Sequence, residues 1–190
     1  PCGVGRRARA RSIPSACPKY LALPASRRRS SVQIWLGFLA RPPNYLSGSS
    51  HVVSFSSNVT LAAGSLPAEA DQVAANLVLA NLSGHDSHGI GMAPRYVDAI
   101  LEGGLIPNTK VATKVDAGML LGLDGQRGFG QIVGVQAMEA AFAKVEQHGA
   151  CIFSLARAHH LGRIGHFAEM AVARGWVSLH FVNVLSRSDI

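Results

Sequence analysis

Acidic residues are absent from the first 60 positions of this chain, which hold nine Lys or Arg, whereas residues 61–190 carry eleven acids against nine bases. The net charge of +7 over 190 residues is therefore local. It excludes a body that is basic throughout, the usual footprint of a nucleic-acid binder. Cysteine is scarce: Cys2, Cys17 and Cys151 are an odd and scattered set. They define neither a disulfide framework nor a zinc spacing. Long apolar runs are also missing. Ile34 to Ala40 and Cys151 to Ala156 fall well short of the roughly 20 residues that span a bilayer. The expected setting is cytoplasmic, without a membrane or nucleic-acid partner.

What is present divides into a low-complexity arm and a patterned remainder. Residues 1–60 combine Arg6, Arg7, Arg9, Arg11 and the Arg27 to Arg29 run with scattered prolines and many serines. They show no sustained period and read as a disordered arm: a non-native leader or misassigned chain start, an organelle transit peptide or, least favoured, a basic nucleic-acid arm. From about residue 65, Ser65 and Pro67 supply a helix start, and Val73, Leu77 and Val78 recur at helical spacing up to Leu82. A second helix fits Arg95 to Leu101, after Pro94 and before Gly103. Pro107 opens an extended connection. A strand is expected at Met119 to Asp124, then a helix from Gln131 to His148 with the stripe Ile132, Val135, Met138, Phe142 and Val145. A strand at Ala150 to Leu155, a helix from Arg163 to Arg174 and a strand at Trp176 to Asn183 complete the order. Residues 61–110 thus form a helical segment and 111–190 a strand-and-helix segment.

Three clusters can carry chemistry. Gly84-His85-Asp86-Ser87-His88-Gly89 lies between two helices, where a histidine can exchange a proton near neutral pH and Ser87 can fix its ring. The same residues also suit a plain capping loop. Arg157 to His166 leaves a strand and enters a helix. Its glycines, amides and Arg163 can hold a phosphate or ribose. Its histidines lack a carboxylate partner at ligand spacing, so no metal is expected. Gly125, Gly128, Gly130 and Gly134 suggest a dinucleotide loop, but the following strand ends in Ala156-Arg157 and lacks the acid that would bind a ribose.

Taken together, LVLANLSGHDSHGIGMAPRYVDAILEGG, LDGQRGFGQ and ARAHHLGRIGHFAEMAVARGWVSLHFVNV resemble the malate/L-lactate dehydrogenase family, with the flavour of its bacterial hydroxycarboxylate dehydrogenases. The resemblance covers roughly residues 65–190. It implies an α+β fold that is not Rossmann: N-terminal helices, then a mixed, largely antiparallel sheet with helices. It also implies a homodimer that moves a hydride between NAD or NADP and a 2-hydroxy or 2-oxo carboxylate. His88 maps to the family's acid or base, Ser87 to its relay partner, and His160 to a histidine beside the nicotinamide. His160, Leu161, Gly162, Arg163 and Ile164 match the cofactor segment, which makes 111–190 a partial cofactor domain. Two departures matter. Met92 stands where many relatives carry an arginine that clamps the substrate carboxylate, leaving Arg95 or a pocket lined by Met92 as candidates. Relatives also continue past the position of Ile190, so the chain is expected to be a fragment, either active or reduced to binding nucleotide or dimerising.

Overall fold

The computed structural model describes residues 46–183. Five helices and three strands follow in the order α1 (Leu46–Ala62), α2 (Pro67–Leu82), α3 (Ala93–Leu101), β1 (Ala112–Ala117), β2 (Leu120–Asp124), α4 (Gly130–His148), β3 (Ile152–Ala156) and α5 (Gly165–Ala173). Two 3-10 turns, Asp86–His88 and Ile90–Met92, bridge α2 and α3. Helices come first and strand and helix alternate afterwards, as the pattern predicted. The strands form one mixed sheet in the order β1-β2-β3, the first pair antiparallel and the second parallel.

Helix α4 is the common wall of three apolar clusters. Its first turn, through Ile132, joins Val73, Leu77, Ala93, Tyr96, Leu105 and Phe129 from α2, α3 and the flanking loops. Met138 and Phe142 meet Phe167 and Ala171 of α5. Ala137 receives Leu121 and Leu123 of β2. The helix ends at Gly149, whose φ of 79° closes it in a left-handed conformation that costs a glycine little. Elsewhere the α1–α2 junction is tied to the later chain by the buried Glu69, which accepts from Ser65 Oγ and from the Asn108 amide at 2.9 Å.

Three expectations are corrected. The arm assigned to residues 1–60 ends earlier, because residues 46–60 belong to α1; the remainder of that assignment lies outside the described residues. Serine and threonine hide this helix from a hydrophobic pattern. Ser56, Ser57 and Thr60 are buried, Ser57 Oγ donates to Asp71 of α2 at 2.7 Å, and Thr60 Oγ1 donates back to the Ser56 and Ser57 carbonyls. Tertiary packing here overrides weak helix propensity. The connection after Pro107 contains strand β1, whose nearly full exposure erased the alternation that would have signalled it. Conversely, residues 176–183 form no strand. Side-chain exposure alternates from Trp176 to Phe181 as a strand's would, yet no described strand pairs with them.

Candidate active site

The last turn of α2 builds the first half of the site. Asn81 Oδ1 accepts the Ile90 amide at 2.8 Å while its Nδ2 donates to Asp86 Oδ1 at 2.5 Å, so one side chain grips both 3-10 turns. Gly89 makes the grip possible. A Cβ there would lie 2.2 Å from Asn81 Oδ1. The turn so held presents the half-buried His88, with Ser87 Oγ 2.8 Å from its Nδ1.

The second half is the loop after β3. The Arg157 carbonyl accepts the Arg127 amide at 2.6 Å, and the His159 amide donates to the Gly128 carbonyl at 3.0 Å, stitching this loop to the turn before α4. Arg157 itself is paired with Asp124, its Nε donating at 3.0 Å and its Nη2 also in contact. That guanidinium, with help from the Gln126 amide, holds the Asp124 carboxyl below the usual range. Gly130 lets the loop rest on the start of α4, since a Cβ would lie 2.3 Å from the His160 carbonyl oxygen. The glycine-rich turn is therefore filled by the chain's own loop, and the dinucleotide-loop reading of it fails for want of space.

The two halves bring His88 and His160 together, with ring centroids 5.1 Å apart and planes inclined by 32°. His160 Nδ1 lies 2.8 Å from the hydroxyl of Tyr96, which receives Gln131 Nε2 at 2.6 Å. Burial, followed by the charges of His88, His159 and Arg95, lowers the His160 pKa to about 4. It is neutral at physiological pH. His159 is pushed down by burial and by Arg95, and burial raises Tyr96 to about 12 against the opposing bond from Gln131. Arg95 is exposed and forms no ion pair among the described residues. Met92 instead packs on the cluster containing Leu77 and Tyr96.

The proposed cofactor segment is mixed in what it offers. The backbone amides of His160 to Ile164 donate to no other described residue, and Gly162, at φ 73°, is buried over Gln131. His159 Nδ1 is buried without a partner. Leu161 and Ile164 pack toward Met138 and Phe167. Arg163 is committed: its two terminal nitrogens each donate to Glu169 at 2.8 Å. No group of three or more metal-ligating side chains converges among the described residues, and none of their helices is long and apolar enough to cross a membrane. An open apolar groove of about 510 Å³ lies between α1, the second 3-10 turn and α3, and no histidine lines it.

The family model described as malate/L-lactate dehydrogenase matches residues 49–188. The chain belongs to that family. Among curated relatives, hydroxycarboxylate dehydrogenase B of Escherichia coli K12 is 48% identical over 122 residues, 64% of this chain and 34% of that protein. L-lactate dehydrogenase of Cupriavidus necator is 45% identical over 131 residues, 68% and 38% of the two chains. A solved putative malate/lactate dehydrogenase from E. coli superposes with a TM-score of 0.65 at 43% identity, covering 67% of this chain and 36% of that one. Malate dehydrogenase from Pyrococcus horikoshii gives 0.63 at 34% identity, covering 67% and 36%. The chain spans about a third of the length of these relatives.

Within this family member, sequence reasoning singled out His88, Ser87 and His160, and the structure brings the three together. It missed Asn81, Tyr96 and Gln131. The only sequence signal for them was polarity at helix positions otherwise facing a core.

Proposed function

We propose that the protein is an oxidoreductase that interconverts a 2-hydroxy and a 2-oxo carboxylate with NAD or NADP, His88 handling the proton. The observation that carries this reading is the close pair of dissimilar histidines. Both rings are half-buried, but His88 is tied to Ser87, whereas His160 is bonded to the buried Tyr96 and held neutral. Two neighbouring imidazoles with unlike partners, the exposed Ser87 for one and the fully buried Tyr96 for the other, allow one to exchange a proton while the other keeps a fixed state. A bound nicotinamide would supply or accept the hydride. The segment from His160 to Ile164, with its unengaged amides and the orphaned His159 Nδ1 beside it, fits an extended polar ligand of that kind. Arg163 would act there by shaping the loop through Glu169, not as a free phosphate clamp.

In reduction, His88 gives its proton to the oxygen that becomes the hydroxyl; in oxidation it takes that proton back. His160 borders the same space without taking on charge. Arg95, without an ion-pair partner among the described residues and close enough to be felt at both His159 and His160, is suited to the substrate carboxylate. Met92, drawn into the core, is left with packing. The working protein is proposed to be a homodimer. Titrating NADH fluorescence against the 190-residue chain, followed by assay of malate and lactate oxidation, tests the proposal. Saturable binding with turnover supports it. Binding without turnover favours a nucleotide-binding or dimerising role, and neither binding nor turnover removes the reading.

A further inference from the structure

Tyr96 has no exposed surface, and its hydroxyl oxygen sits between Gln131 Nε2 at 2.6 Å and His160 Nδ1 at 2.8 Å. An amide nitrogen can only donate, and a phenol has one proton to give. Tyr96 therefore accepts from Gln131, and its own proton goes to His160 Nδ1. Turning the Gln131 amide over would reverse the chain of bonds: the phenol would donate to Gln131, and His160 Nδ1 would carry the proton and donate to the phenol. In the arrangement observed, the atom without a partner is the carbonyl oxygen Oε1.

We propose that Tyr96, backed by Gln131, is a positioning residue that fixes His160 as a neutral imidazole carrying its proton on Nε2. His160 then serves the reaction as a hydrogen-bond donor to the substrate oxygen and leaves proton exchange to His88. The second half rests on the oxidoreductase reading; the first stands without it. The charged or titratable groups facing His160 are His88 from the first 3-10 turn, Arg95 and Tyr96 from α3, and His159 from its own loop, with the neutral Gln131 from α4 behind Tyr96. None is a carboxylate. Every cation among them, together with burial, opposes a second proton on His160, and the Tyr96 bond occupies the nitrogen that would receive it. A histidinium would also leave the buried Tyr96 proton with no acceptor, because both neighbours would then be donors.

The test is nitrogen-15 NMR of the histidine-labelled 190-residue chain without cofactor or substrate, with the His160 signals identified by their loss in His160→Gln. The expected spectrum shows Nε2 protonated, Nδ1 as a bare acceptor, and no second protonation above about pH 5. Tyr96→Phe keeps the ring in its cluster against Phe129 and removes the hydroxyl that donates to His160 and accepts from Gln131. It should populate both tautomers and raise the His160 protonation constant about tenfold. Gln131→Met should retain the Nε2–H form, since Tyr96 still donates. A wild-type spectrum with the proton on Nδ1 overturns the proposal, as does a Tyr96→Phe variant with unchanged tautomer and titration. Should Tyr96→Phe not fold, the wild-type tautomer decides alone. Failure of the oxidoreductase reading would appear elsewhere, as absent NADH binding with these histidine signals unaffected.

Discussion

His88 and Arg95 lie on opposite sides of a question about where substrate energy is used. If His88 is the acid and base, His88→Ala should lower kcat by about two orders of magnitude while NADH affinity changes little, as fluorescence titration would read. Arg95→Met should act on KM instead, raising it about thirtyfold for carboxylate substrates, the scale of one charge-assisted bond at ~2 kcal/mol. Equal kinetics for Arg95→Met and the parent would place the clamp on another residue. Histidine burial also sets a pH dependence. His160 is held at about 4, and His159, His166 and His180 are each lowered chiefly by burial. Above about pH 6.5 these rings are neutral whether the chain is folded or not. Below it the unfolded chain binds protons that the folded one refuses, so stability falls as pH falls toward about 4. The Tm should be flat near neutrality and decline through that window, less steeply in His160→Gln. A Tm that rises on acidification would contradict this. At this scale the sequence disclosed the residues of the proposed site but not their supports. His88, Ser87 and His160 sit in short recognisable strings, whereas Tyr96 meets His160 across 64 positions and Gln131 across 35, distances at which no local period speaks.

Among the elements, α4 and the loop that rests on it give the clearest mutational handle. Gly130→Ala places a methyl against the His159 and His160 carbonyls, which are backbone and cannot swing aside. It should cost about 1–3 kcal/mol in urea unfolding and displace His160 from Tyr96, weakening NADH binding in parallel. Gly91→Ala, where a Cβ meets nothing within 4 Å, is the control and should leave the NADH affinity unchanged. The same element shows what a sequence reveals best. The stripe of α4, its glycine stop and the order of elements after it were legible because apolar side chains repeat with the helix and the chain must bury them. Helix α1 was not, because its buried face is made of serine and threonine beside a helix whose buried positions include Ala70 and Ala74. Strand β1 was not either, because an exposed strand has no apolar face to declare itself.

At the scale of the molecule, the described residues gather around one helix, and the charge excess of the sequence is carried by positions 1–60. Electrostatic repulsion between copies is correspondingly weak over residues 61–190. This matters for the stretch after α5, where Val177, Leu179 and Phe181 are 85%, 81% and 93% exposed in alternation with the inward Trp176, Ser178 and His180. Strand β3 ends the sheet among the described residues, and its Ile152 is exposed as well. An uncharged, β-prone segment that pairs with no strand among the described residues is the kind of sequence that recruits its own copy, each added chain supplying ladder bonds to the previous one. Light scattering of the purified chain should therefore grow with concentration after a lag, and Leu179→Lys with Phe181→Lys should lengthen that lag severalfold without altering the His160 spectrum. An unchanged lag would mean that growth starts at another surface. The limit on handling this protein would then be colloidal: a critical concentration for templated growth, set by the eight residues 176–183 that follow α5.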